Sequence, residues 1–140
     1  CIAGGGGGIP VVRSARGTRK GVEAVIDKDL TSALMANVLG IEHMMILTSL
    51  SRVAIHFGTD KERELGKISL SELRAYHAEG HFPPGSMGPK VEAAIRFLDG
   101  GGKHVIIAAL EEALPALRGE SGTHITNNEA TETDISHMGP

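Results

Sequence analysis

The chain has few aromatic residues: 3% of its 140 positions, with no tryptophan. Its core must therefore be built from aliphatic side chains. It has one cysteine, Cys1. That excludes an internal disulfide framework and fits a reducing compartment, so a cytoplasmic location is expected. It lacks a basic excess, because 14 Lys and Arg face 17 Asp and Glu for a formal charge of −3. A nucleic-acid partner is not expected from such a balance. Phosphate chemistry stays open, since it needs only a few local cations. No apolar run approaches the ~20 residues of a membrane span, and no secretory leader pattern stands at the start.

What is present is ordinary for a globular domain. The hydrophobic fraction is 41% and the charged fraction 22%, enough to bury a core in one domain. The chain opens on apolar Cys1-Ile2-Ala3 without an initiator methionine. This reads as the end of a buried strand, and the expectation is a carboxyl-terminal piece of a longer protein. Residues 126–140 are polar and are expected to form a disordered tail.

Glycine carries the most specific signals. The run Gly4 to Gly8 is flanked tightly by apolar residues. It reads either as a loop whose N–H groups approach a small anion or as a flexible linker. The second glycine-rich stretch is Gly80-His81-Phe82-Pro83-Pro84-Gly85-Ser86-Met87-Gly88-Pro89-Lys90. Gly85 and Gly88 permit close backbone approaches. Pro89 suits the first turn of a helix. Lys90 then stands at a loop-to-helix junction where free N–H groups favour an anion. The alternative is a plain helix start with a solvated lysine.

The pattern in between is strand and helix in alternation. Val11-Val12 and Val22 to Ile26 read as a hairpin around a basic tip, Arg13 to Lys20. Asp27 or Asp29 caps a helix with an apolar face of Leu30, Ala33, Leu34 and Leu39, stopped by Gly40. Lys28 and Asp29 thus form a second loop-to-helix junction. They are either a surface ion pair or an arrangement that orients phosphate-binding cations. Met44 to Thr48 reads as a buried parallel strand, Arg52 to Phe57 as another, and Gly58 to Lys67 as a polar loop.

Ser69-Leu70-Ser71-Glu72 is a capping box opening a helix to about Glu79. His77 and His81 have i,i+4 spacing, but Gly80 lies between them and no third ligand is near, so no metal site is expected. Val91, Ala94, Ile95 and Leu98 give the next helix one buried face. Val105 to Ala109 is a strand, and Glu111 to Leu117 a helix bent at Pro115. Thr123 to Ile125 closes the sheet at an edge. The expected fold is α/β, a three-layer α/β/α sandwich with a mainly parallel sheet. In such sheets ligands sit at strand-to-helix turns.

Three stretches carry a family resemblance: Gly5 to Val11, Gly21 to Leu30 and Glu79 to Ile95. Together with Gly122-Thr123-His124-Ile125 they resemble the carbamate kinases of the amino-acid-kinase fold. The resemblance runs from Cys1 to about Ile125. It implies that residues 1–125 are the carboxyl-terminal, nucleotide-binding half of that fold, with the amino-terminal half supplied elsewhere. It implies reversible phosphoryl transfer between ATP and carbamate, with ADP and carbamoyl phosphate as products and Mg²⁺ as cofactor. A homodimer is also implied.

By this resemblance Lys28, Asp29 and Lys90 are catalytic, with Asp29 orienting the lysines. Thr48, Gly85, Met87, Gly88 and Lys90 line the nucleotide. Gly4, Gly5, Gly6 and Gly7 lie on the carbamate side. One segment departs from the family. Ser49, Ser51 and Ala54 stand where many relatives carry two acids and a tyrosine. That departure motivates an alternative, a non-catalytic nucleotide-binding or assembly module. The fragment alone is expected to lack turnover, because half the cleft is absent from it.

Overall fold

A computed structural model describes residues 2–127. Cys1 and most of the predicted tail, residues 128–140, lie outside the described residues.

The centre is a four-stranded sheet in the order β3-β7-β8-β6. Its strands are β3 (His43–Thr48), β6 (Lys67–Ser69), β7 (His104–Ala109) and β8 (Thr123–Thr126). Strand β7 is buried along its whole length, as its β-branched run Val105-Ile106-Ile107 favours. One face of the sheet is covered by α1 (Lys28–Val38) on β3, α2 (Leu70–Ala78) on β6 and β8, and α3 (Met87–Asp99) on β7. On the other face Ile106 and Ala108 meet Ala116 of α4 (Ala113–Leu117) and Met45 of β3. The layering is α/β/α, with one thick layer and one thin one.

Helix α3 is the principal buttress. Its first turn carries Pro89, and Val91, Ala94, Ile95 and Leu98 are buried as their spacing predicts. Asp27 is the cap of α1. The capping box of α2 is complete: Ser69 Oγ accepts from Glu72 N–H at 3.2 Å, and the Glu72 carboxylate accepts from Ser69 N–H at 2.8 Å.

Several expectations are corrected. The sheet is mainly parallel, as expected, but it is mixed, with one antiparallel pair. The pairs β3–β7 and β6–β8 are parallel, but β7–β8 is antiparallel. After β7 the chain makes only a short helical turn and α4 before returning at Gly122. That excursion brings it straight back beside β7. Consequently β8 lies inside the sheet, and β3 and β6 form its edges. Pro115 does not bend α4; it sits in the first turn, where no N–H is needed.

The first hairpin pairs β1 (Val11–Arg13) with β2 (Arg19–Gly21), not with Val22 to Ile26. A tight turn fixes this register, with Ser14 N–H donating to the Thr18 carbonyl at 2.9 Å. The predicted strand Arg52 to Phe57 is shortened to β4 (Val53–Ile55), and the predicted polar loop contains β5 (Arg63–Leu65). Thr123 explains why so short a hairpin holds. Its buried hydroxyl accepts from Val53 N–H at 2.9 Å and donates to the Leu65 carbonyl at 2.5 Å. Ile2 and Ala3 are exposed and form no strand. On α1, Ala33 is buried but Leu34 and Leu39 face outward, so half of the predicted apolar face is uncovered.

A pair of histidines crosses the antiparallel seam. His104 and His124 are both buried, with His104 Nε2 3.1 Å from His124 Nδ1. His124 Nε2 donates to the Ser121 carbonyl at 2.8 Å, which leaves Nδ1 to accept from His104. Burial, with His124 and His43 adding to it, pushes His104 down to about 4. Burial also lowers His124, against the favourable bond to Ser121 and with Lys67 and Arg52 nearby.

The unfolded chain binds the His104 proton near pH 6.5 and the folded chain only near 4. Between those values the unfolded state holds more protons, so stability falls as pH falls. Urea unfolding at pH 5 should show about 2 kcal/mol less stability than at pH 7 from this group. His104→Leu should flatten that slope. An unchanged slope in the variant would show that the pair does not set it.

Candidate functional site

The site begins at a helix cap. Asp27 Oδ1 accepts from the N–H groups of Asp29 at 2.8 Å and Leu30 at 3.0 Å. This fixes the first turn of α1 and points Lys28 and Asp29 together. Asp29 is 7% exposed. A buried carboxylate is costly unless paired, and here it is paired twice. Lys28 Nζ lies 3.1 Å from Oδ1, and Lys90 Nζ lies 3.1 Å from Oδ2.

The second lysine arrives from the first turn of α3, 61 residues along the chain. Helices α1 and α3 pack against each other and bring the two junctions to one point. The side chain of Lys28 is 51% exposed and that of Lys90 17%. Each ammonium has three donors and uses one on Asp29. Two cations face one carboxylate, and with Asp27 at the cap beside them the junction is formally neutral. The spare ammonium donors are of the kind that binds an anion, and the start of α3, which carries no acid, adds to the positive field there.

The loop before α3 is shaped by contact. Gly85 has φ +86°. Gly88 N–H donates to the Pro83 carbonyl at 3.0 Å, and a Cβ on Gly88 would lie 2.9 Å from that oxygen. Ser86 gives the helix no side-chain cap, and its first turn holds no acid. Helix α3 brings no carboxylate to its start, although Gly88 N–H is spent on Pro83 and Pro89 has no N–H. Met87 is part of the core, which leaves little of it to line a ligand.

The first glycine run is docked, not a loose linker. A Cβ on Gly7 would lie 1.9 Å from the Ile26 carbonyl, and one on Gly4 2.1 Å from Ser32 Oγ. Thr31 Oγ1 donates to the carbonyls of Gly7 at 3.2 Å and Asp27 at 2.8 Å. Gly4 and Gly7 thus sit against the first turns of α1, beside the Lys28 junction. Gly5 and Gly6 have open space around them. Thr31 and Ser32 are residues that sequence reasoning left out, although a hydroxyl four positions past a cap is a readable signal.

Other candidates are not brought in. Thr48 ends β3 opposite Ala109, and no side-chain hydrogen bond or ion pair among the described residues joins it to the lysines. Ser51 Oγ donates to Glu112 Oε1 at 3.2 Å. His77 stacks on Phe82 and approaches Glu92 at 3.5 Å, while His81 meets Glu79 at 3.0 Å. Among the described residues, no three His, Cys, Asp or Glu side chains gather to hold a metal. No helix among them is long and apolar enough to cross a membrane.

Comparison with known proteins gives this geometry a context. The chain is 52% identical over 125 residues to a carbamate kinase of Pyrococcus horikoshii, covering 89% of this chain and 40% of that protein. It is 49% identical over 124 residues to the carbamate kinase-like protein YahI of Escherichia coli, covering 89% and 39%. Among solved structures, the carbamate kinase from Giardia lamblia bound to AMP-PNP superposes with a TM-score of 0.81 at 47% identity, over 86% of this chain and 38% of that one. The N-acetylglutamate synthase of Neisseria gonorrhoeae, at 21% identity and a TM-score of 0.62, shares the fold. The chain spans about two fifths of the length of the curated relatives it matches. The family model for the amino acid kinase family matches residues 5–109, and the chain belongs to that family.

Proposed function

We propose that the protein carrying this chain is a carbamate kinase, moving a phosphoryl group reversibly between ATP and carbamate. The observation that carries the reading is the Lys28–Asp29–Lys90 cluster, two ammonium groups from separate helices held 3.1 Å from one buried carboxylate. Phosphoryl transfer asks little covalent chemistry of a protein. It asks for positioning and for positive charge where charge develops on the transferred group. In this reading Lys90, at the start of α3, holds the nucleotide phosphates. Lys28 faces the transferred group, and Asp29 is a positioning residue for both lysines. The glycine run beside Lys28 borders the acceptor.

The carbamate kinases matched at about half identity, and the relative solved with AMP-PNP, support this substrate pair. Mg²⁺ belongs to the reading as a companion of the nucleotide. Mg²⁺ commonly keeps several waters and is held through phosphates. Asp29 is not its ligand in this reading, because both Asp29 oxygens already face ammonium groups. A carboxyl-terminal placement in the fold, a homodimer and a cytoplasmic location travel with the same reading.

A second reading, a nucleotide-binding or assembly module without turnover, is favoured by Ser49, Ser51 and Ala54. A serine supplies no carboxylate, and the Ser51 hydroxyl is bonded to Glu112. Calorimetry with ADP and Mg²⁺ separates the two: tight binding by this chain alone favours the module.

The main test is ATP formation from carbamoyl phosphate and ADP. The intact protein should turn over, and Lys90→Ala should lower kcat by about 100-fold or more, the scale of losing one charge-stabilising donor. An unchanged kcat would remove Lys90 from the mechanism. The 140-residue chain by itself should show no turnover above background, and robust activity would contradict the expectation of an incomplete cleft.

A further inference from the structure

We propose that His56 and His81 form a clasp of two imidazole rings that positions the loop of residues 83–88, and through it Lys90. What the clasp does for a bound nucleotide rests on the carbamate kinase reading.

The backbone at His56 points to this. Among the described residues, glycines apart, only His56 has a positive φ, +54°. It follows β4 directly and opens a tight turn, its carbonyl accepting from Thr59 N–H at 3.1 Å and from Thr59 Oγ1 at 2.7 Å. A glycine would make the same turn without steric cost. A side chain persists at such an angle where its surroundings hold it. Here the ring is held from outside the hairpin. It meets the His81 ring edge to face, with centroids 4.4 Å apart and planes at 78°.

His81 stands where α2 gives way to the loop. Gly80 has φ +80°, and His81 N–H returns to the Tyr76 carbonyl at 3.2 Å, which closes the helix end. The His81 side chain is only 14% exposed. Its ring lies 5.9 Å from that of Tyr76, again nearly edge-on. The same hairpin grips Tyr76. Arg63 Nη2 on β5 donates to the Tyr76 hydroxyl at 2.8 Å, and the guanidinium lies 5.9 Å from the Tyr76 ring. Two residues of the hairpin thus hold the end of α2. The remaining contact of His81, to Glu79 at 3.0 Å, ends on a carboxylate that is 61% exposed. An ion pair so open to water contributes little, so the ring contacts carry the clasp.

The loop connects the clasp to the lysine. Phe82 is buried and stacks on His77. Residues 83–86 are exposed. The Pro83 carbonyl then accepts from Gly88 N–H at 3.0 Å, two residues before Lys90. The loop is pinned at His81 and Phe82 and closed at Gly88, so a shift at His81 passes through Pro83 to the first turn of α3. The hairpin is itself tied to β8 by the Thr123 hydroxyl. The clasp therefore refers the loop to the sheet. His56 and His81 are positioning residues in this account, acting through the loop on Lys90.

Amide exchange and calorimetry with ADP and Mg²⁺ test the clasp in the intact protein. His56→Gly removes the ring and leaves no strain at the turn. It should speed exchange of the Gly88 N–H and raise the ADP dissociation constant by about fivefold each, the scale of one aromatic contact. The urea midpoint should stay at the wild-type value. His81→Ala should act likewise, and the double variant should be little worse than either single one. His81→Phe keeps a ring and gives up Glu79, and should restore both readings. Wild-type exchange and binding in His56→Gly would overturn the clasp. So would equal losses in His81→Phe and His81→Ala, or a drop in the urea midpoint large enough to explain the faster exchange. If the wild-type protein binds no ADP, the carbamate kinase reading falls, and Gly88 exchange in His56→Gly and His81→Phe decides the clasp by itself.

Discussion

One buried carboxylate constrains the rest. Asp29 lies almost wholly inside the protein, and an ionised group there is tolerated only with opposite charge and good geometry. It receives both from Lys28 and Lys90. The two lysines come from different helices, so their meeting requires α1 and α3 to pack at one register. That packing in turn requires the small residues Ala33 and Ala36 of α1, both buried against the core that α3 fills. The glycine run must also lie flat on α1, which the contacts of Gly4 and Gly7 enforce. Sequence, packing and charge therefore converge on one point.

The sheet beneath acts as a rigid base. Strand β7 is buried throughout and takes α3 on one face and α4 on the other. The hairpin of β4 and β5 is too short to stand alone, and the Thr123 hydroxyl ties it to β8 through two backbone groups. The His104–His124 pair closes the seam between β7 and β8. These polar contacts are few, buried and matched, which is how a small sheet acquires one register rather than several.

Much of the site was legible from local chemistry. Asp27 could be read as a cap, Pro89 as a first-turn residue, and Lys28 and Lys90 as junction lysines, because each signal lies within a few residues. The family resemblance added that the two junctions belong together, which no local pattern contains. What stayed hidden depends on contacts distant in sequence. The three-residue strands β4 and β5 carry no period of their own and exist through Thr123, 70 residues from Val53. The antiparallel return of β8 depends on a short excursion after β7, whereas alternating strands and helices suggest parallel pairing. Met87 reads as a ligand contact from its loop position, and its burial in the core depends on packing that no local pattern contains. Leu34 and Leu39 read as core yet face outward, since a helical period reports an apolar face and not what covers it.

The central claim is that Asp29 and Lys90 act as one unit rather than as two independent residues. A double-mutant cycle of Asp29→Asn and Lys90→Met on kcat/KM in the intact protein tests it most directly. Strong coupling is predicted, with the double variant little worse than Lys90→Met alone. Additive losses would mean that Asp29 does not work through Lys90, and would contradict the claim.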